Sequence, residues 1–510
     1  MNFDRIKNAK RNVGWSWLNK IITLFVPFIM RTIILYTLGN MYLGLGSLFS
    51  SILQVLNLAE LGIGSALAFA MYKPVAEDNF DELKELLNLY KKTYIIISIV
   101  ISVFGIIMMP FLGFFIKDDI PSDMNIYAMY ILYLASTVSS YCFFAYKGSI
   151  LIVFQRNDIL EKISIIFNLL MYSLQIIGLI VFKNYYIYII VNLITIILKN
   201  CLISFIVKKK YPDIVPSTST SKELTKFVFK KTGALMGHKV GAVVLNSVDN
   251  ILISSILGLT LLAQYNNYYY ILTAIIGILS ICSSSIMPII GNYIINEGKE
   301  KSYNLFLIIL YIFSFVICIC CCCFISMYQT FIEIWVKKEN VLPFFLVILL
   351  VLEFYIKTYR MPILLFKDAS GMWEKDLLKP WIQVIVDLII DIILLKTIGI
   401  YGAVISTIVA TFFVAYFYES YVVHKYCFQK KQKKYFINSI LYFLITVFAC
   451  IITNYICSYI STNNMILNLF LFLLISVFIG IVLFLLFTFF TYEFKISFTF
   501  FKRKFFRKKI

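Results

Sequence analysis

The sequence predicts an all-α integral membrane protein of about fourteen spanning helices, and three observations predict it. Of the 510 residues, 61% are hydrophobic and only 14% are charged, against about half and about a quarter in a soluble globular chain. The apolar residues are gathered into runs of about 20, the length that carries an α-helix across a bilayer core. The basic residues sit in short clusters between those runs, as they do where Lys and Arg are retained on the cytoplasmic side. A soluble domain could not hide so much apolar surface. A net charge of +19 distributed in this way points to a membrane surface and not to nucleic acid.

In chain order the predicted spans are 13–36, 42–72, 93–116, 124–146, 160–182, 185–207, 232–257, 262–295, 303–329, 341–364, 377–396, 400–422, 436–460 and 465–492. The opening MNFDRIKNAKR has the basic character of a signal peptide, but no A-x-A-like site follows. The first run is therefore expected to stay as a membrane helix. With the N-terminus inside, the cytoplasmic segments hold 35 Lys and Arg residues and the outer loops hold five: Lys117, Lys183, Lys337, Lys338 and Lys396. One missed helix would invert every later loop, so this asymmetry supports the layout and puts both termini in the cytoplasm.

The chain also resembles itself. At an offset of 219, Lys20 falls on Lys239 and Leu38-Gly39 on Leu257-Gly258. At an offset of 213, Tyr146-Lys147 meets Tyr359-Arg360, Glu161-Lys162 meets Glu374-Lys375, and Lys183 meets Lys396. Matched charged pairs are informative where matched apolar residues are not. The expected organisation is an N-terminal six-helix lobe at 1–210, a cytoplasmic linker at 211–231, a C-terminal six-helix lobe at 232–430, and two extra helices with a basic tail at 431–510. Parallel six-helix repeats are an arrangement of secondary transporters.

Charges inside the spans mark the candidate sites. The basic ones are Lys20, Arg31, Lys199, Lys239, Lys357 and Arg360, and the acidic ones are Glu60, Asp249, Glu353, Asp387 and Asp391. Each costs about 2.5–3.5 kcal/mol at a helix centre, so most must face protein or a wet cavity. Lys20 and Arg31 lie eleven residues apart, close to three turns, and share a face. Lys239 and Asn250 repeat that spacing, so two cationic stripes are expected to line one cavity; Lys20, Arg31 and Lys199 can alternatively snorkel to a surface. Glu353, Lys357 and Arg360 follow i, i+4, i+7, which suits either an internal ion pair or a cavity wall. Asp387 and Asp391 share a face and can bind Na⁺, relay H⁺ or pair with another helix; Asp249 and Glu60 are further candidates for ion coupling. Glu60 precedes Leu61-Gly62-Ile63-Gly64-Ser65, small residues that permit close helix approach. His238 reads as a core histidine or a proton relay.

Enzymatic motifs are absent. The sequence has no G-x-x-x-x-G-K-[ST], no nucleophile elbow and no H-E-x-x-H, so neither catalytic residues nor a cofactor are expected. The five cysteines between Cys318 and Cys323 lie in an apolar run with no His nearby and read as small packing residues, with no metal site. Clusters in 208–231 and in KRKFFRKKI are expected to anchor on anionic lipid.

Three segments carry a family resemblance. Arg31-Thr32 with TLGNMYLGLGSLFSSILQVLNLAELGIGSAL at 37–67 and MYKPVAEDN at 71–79 resembles the opening of the Wzx-type polysaccharide flippases of Gram-positive bacteria. GHKVGAVVLNSVDNILISSILG at 237–258 and AQYNNYYYIL at 263–272 resemble their seventh and eighth helices, and GIYGAV at 399–404 also fits. The resemblance implies the fold of the multidrug/oligosaccharidyl-lipid/polysaccharide exporter superfamily, two six-helix lobes opening alternately to either side. It implies that undecaprenyl-pyrophosphate-linked oligosaccharide is flipped across the bacterial cytoplasmic membrane. Arg31, Lys20, Lys239 and Arg360, with Asn250, would then meet the pyrophosphate or acidic sugars. A polysaccharide polymerase and glycosyltransferases would be its pathway neighbours. In lipid-II flippases of this superfamily two extra helices extend a groove for the lipid tail. The alternatives are a cation-coupled drug exporter or lipid-II flippase of the same superfamily, and a membrane glycosyltransferase or polymerase. Drug exporters favour acidic cavities, and polymerases need larger outer loops than these.

Overall fold

The computed structural model describes the backbone of residues 5–506 apart from 61, 119, 121, 122 and 461. Within that range it describes the side chains apart from 5–10, 13, 59, 222–223, 227–240, 242, 246, 373–374, 501 and 503–506. Among the described residues every regular element is helical. They form two compact units, Met1–Ala263 and Gln264–Ile510.

The first unit contains α1 (Arg5–Thr37), α2 (Asn40–Leu56), α3 (Ile63–Ala76), α4 (Phe80–Met108), α5 (Ile126–Cys142) and α6 (Gly148–Val153). It continues with α7 (Asn157–Phe182), α8 (Tyr185–Lys210), α9 (Lys222–Leu257) and the first turn of α10 (Leu259–Val336). Several helices begin where a side chain can accept from the first-turn amides: Asn79 for α4, Asn125 for α5, Asn184 for α8 and Ser221 for α9. Isoleucines such as Ile96, Ile99 and Ile106 on α4 and Ile166 on α7 remain exposed, as lipid-facing side chains do.

Two predicted spans are broken in this unit. The run 42–72 is divided between α2 and α3 at Gly62, whose φ of 90° suits glycine. The small residues here permit close packing and open the helix as well. The run 124–146 bends by 43° where α5 gives way to the turn Ala145–Lys147 and α6. At that bend Phe144 has φ 56°, a left-handed conformation that costs a non-glycine residue about 1–2 kcal/mol. Helix α9, assigned by the sequence to the second lobe, packs on α2 and α3 of the first unit.

The second unit takes in most of α10, then α11 (Phe344–Tyr359), α12 (Met361–Ala369), α13 (Lys379–Ile398) and α14 (Ile400–Val409). Helix α10 turns at Gly298 (φ 76°), so its 78 residues are two helices and not one. The helix begun by α14 continues through two wide π-helical stretches, Ala410–Tyr416 and Val423–Phe428, on either side of α15 (Phe417–Val422). The unit ends with α16 (Lys433–Ser458), α17 (Met465–Thr488) and α18 (Tyr492–Phe506). Ser476 and Thr488 of α17 meet Ser326 and Tyr311 of α10 at 2.7 and 2.9 Å, and Gly480 lies against Ile319, a stripe of mostly small residues that brings the helices close.

Eight described helices are long and apolar enough to cross a membrane, or nine if α5 and its continuation form one span. The expected count was fourteen. The difference arises because α10 holds two predicted spans, α2 with α3 and α11 with α12 each divide one into shorter pieces, α9 is counted only as the shorter apolar helix Val243–Leu257, and α13 is interrupted by Asp387, Asp391 and Lys396.

Candidate functional site

In the first unit Lys20 is exposed on α1. Three turns further along, Arg31 is half-buried and donates to the backbone carbonyl of Ala263 at 3.2 Å. Its charge also reaches Tyr185 and Tyr188 of α8. The side chains of Lys239 and His238 lie outside the described residues. Asn250 donates its amide to Ser51 Oγ at 2.9 Å, and Ser247 donates to Gln54 Oε1 at 3.2 Å, which stitches one face of α9 to α2. Asp249 is buried beside that seam.

Glu60 stands at the break between α2 and α3. Tyr94 donates to its Oε1 at 3.4 Å, and the Tyr94 and Tyr90 hydroxyls lie 3.2 Å apart. A Cβ at Gly64 would sit within 2.8–2.9 Å of Glu60 Oε1, Tyr94 OH and Tyr90 OH, so only glycine leaves room for this cluster.

The second unit gathers its charges into two buried networks. In the first, Lys357 lies 2.5 Å from Glu353, the i, i+4 pair expected from the sequence. Tyr269 of α10 bridges it, accepting from Lys357 at 2.8 Å and donating to Glu353 at 3.3 Å. Nearby on α13, Asp387 and Asp391 are almost fully buried one turn apart. Ser406 of α14 donates to Asp391 at 3.4 Å, Thr407 is the partner of Asp387, and Lys357 is the cation that acts on Asp387.

The second network is built on Arg360, which stands where α11 gives way to α12. Its guanidinium grips Glu419 of α15 with two bonds of 2.9 and 2.7 Å. Lys379 donates to the same carboxylate at 2.6 Å, and Lys367 pairs with buried Asp376 at 2.5 Å. Glu419 lies inside the predicted run 400–422 and was passed over in the sequence; an acidic residue in the last turn of an apolar run was the available signal.

Lys20, Arg31, Asn250, Asp249 and Glu60 belong to the first unit, and Arg360, Asp387 and Asp391 to the second. Among the described residues no group of His, Cys, Asp and Glu could hold a metal ion, and all cysteines are free. An apolar cavity of about 300 Å³ in the second unit is lined by Cys321, Val351, Tyr355, Phe443, Val447 and Cys450.

Residues 9–294, more than half of the chain, match the family model described as "Polysaccharide biosynthesis protein". The chain belongs to the polysaccharide biosynthesis protein family. Its fold is similar to that of the lipid II flippase MurJ in an inward closed conformation, with a TM-score of 0.64 and 15% identity over 97% of this chain and 100% of that one. It is also similar to an inward-facing multidrug resistance MATE family transporter of the MOP superfamily, with a TM-score of 0.59 and 16% identity over 78% and 93% of the two chains. The Vibrio cholerae MATE transporter VcmN in its bent form gives 0.51 and 16% over 83% and 97%. No curated protein sequence matches the chain. Family and fold together make this chain a multi-pass membrane protein of the polysaccharide biosynthesis family, with a fold similar to that of the MurJ and MATE transporters.

Proposed function

We propose that this protein flips an oligosaccharide linked to undecaprenyl pyrophosphate from the inner to the outer leaflet of the bacterial cytoplasmic membrane, by alternating access, for capsule, exopolysaccharide or other surface-polysaccharide synthesis. The observation that carries the reading is Arg31, an ionised group kept half-buried in an apolar helix of a polysaccharide biosynthesis family member. A guanidinium offers a paired set of donors that matches phosphate oxygens, and it stays charged at any relevant pH. Lys20 and Lys239 supply the remaining positive charge, with Asn250 beside them. Arg360 joins them only when its grip on Glu419 opens. The repeats 1–210 and 232–430 are the parts that rock, 211–231 links them in the cytoplasm, and 431–510 is an addition with the C-terminus inside.

Asp387 and Asp391 are the proposed coupling pair. Two buried carboxylates one turn apart suit a shared proton or a small cation such as Na⁺. Asp249 and Glu60 are secondary candidates. A polymerase and glycosyltransferases act before and after the flip. The test is Arg31→Ala, expected to abolish surface polysaccharide while the protein stays in the membrane, with Arg31→Lys retaining part of it. Unchanged polysaccharide in Arg31→Ala would remove the proposed headgroup site.

A second reading, a lipid-II flippase, is favoured by the likeness to MurJ over 97% of this chain, which takes in α16 and α17. Rescue of cells depleted of their lipid-II flippase separates the two readings. On either one, the apolar cavity against α16 suits part of a polyprenyl tail.

A further inference from the structure

Lys147 sits in the bend between α5 and α6, in the turn Ala145–Lys147. Its half-buried ammonium donates to Ser204 Oγ of α8 at 2.8 Å and lies 5.1 Å from the centre of the Phe144 ring. Among the described residues no carboxylate pairs with it. The charges that act on it are both positive, Lys208 of α8 and Lys91 of α4. The turn packs against both of those helices, and Lys208 lies one turn beyond Ser204 on the same face of α8. Two acidic groups at this end, Asp158 and Glu161, are committed elsewhere. Asp158 takes Arg11 and Arg156 at 3.0 Å, and Glu161 takes Ser16, Asn19 and Asn157.

The second unit shows what the same arrangement looks like when it is neutralised. Its equivalent break carries Arg360, and the helix that follows α13, in the place of α8, offers the carboxylate of Glu419 where α8 offers the hydroxyl of Ser204. Among the described residues no carboxylate neutralises these three ammonium groups, and the cluster suits an anion supplied from outside the chain. The positive-inside count puts this end of the unit in the cytoplasmic headgroup layer, where the abundant anion is phosphate. Phe143 and Phe144 are 41% and 44% exposed beside the ammonium, an apolar surface suited to the chain of the same lipid. We propose that Lys147, with Lys208 and Lys91, binds the phosphate of a membrane lipid headgroup at the bend of α5 and α6. This site is separate from the Arg31 site and does not depend on the identity of the cargo.

The test uses the full chain in phosphatidylcholine nanodiscs, titrated separately with undecaprenyl pyrophosphate, phosphatidylglycerol and inorganic pyrophosphate, with bound lipid counted by native mass spectrometry. One charged hydrogen bond contributes about 1.5–3 kcal/mol, so Lys147→Gln should weaken binding of the lipid probe about tenfold or more. Ser204→Glu, which supplies the carboxylate found in the other unit, should weaken it similarly with Lys147 still present. Lys208→Gln, an exposed change that folding tolerates, should weaken it severalfold and decides the matter if the buried variants do not fold. The tighter of the two lipid probes identifies the source of the headgroup. Binding of inorganic pyrophosphate alone would overturn the lipid assignment. Unchanged binding of both lipids in Lys147→Gln and Lys208→Gln would overturn the site.

Discussion

The two helix breaks, at Ala145–Lys147 in the first unit and at Arg360 in the second, place a cation from a broken helix against the helix that follows the next one. The first meets a serine hydroxyl and has only lysines for charged company. The second meets a carboxylate through two bonds, and a second lysine grips the same carboxylate. A repeated backbone device has therefore been given opposite charge balances. One is closed on itself, and the other remains positive and open to an anion. Position within a repeat sets where a cation stands, while its neighbours decide whether it is structural or available.

The largest effect that tests this contrast is the loss of the closed pair. Arg360→Ala leaves Glu419, 1% exposed, with Lys379 alone, and breaking a buried pair costs about 3–5 kcal/mol. Thermal unfolding in detergent should show a clear fall in Tm, and a Tm equal to that of Lys147→Ala would end the comparison. A middle-sized effect should follow from packing at one glycine of each unit. A Cβ at Gly402 would overlap the backbone of Leu394, so Gly402→Val should destabilise by about 1–3 kcal/mol. A Cβ at Gly148 would meet only Leu160 at 3.7 Å, so Gly148→Ala should be neutral or slightly stabilising in the same assay. The smallest effect is expected at the open cation. Lys147→Gln gives up one hydrogen bond to a hydroxyl and should change stability by about 1 kcal/mol or less.

Part of this was legible beforehand. The match of Tyr146-Lys147 with Tyr359-Arg360 picked out the two breaks as equivalent before either was visible as a break. Helical spacing offered the pair Glu353–Lys357 as one of two readings, and it gave the shared face of Asp387 and Asp391. The bend at Phe143-Phe144 was not legible, because it carries neither glycine nor proline and Phe144 holds its left-handed conformation through its surroundings. The partner of Arg360, Glu419, was not legible either. Nor was the bond from Asn250 to Ser51, which ties α9 to α2.

By itself the sequence determined that this is a multi-pass helical membrane protein, that it repeats itself, and which few charges its apolar helices carry. Those properties follow from composition and from the 3.6-residue period, which relates residues only within one helix. Tertiary structure alone decided which charges meet. Glu419 reaches Arg360 across 59 residues, and Ser204 reaches Lys147 across 57. In a low-dielectric interior those pairings, set by how separate helices pack, determine whether a cation is neutralised or left for a ligand.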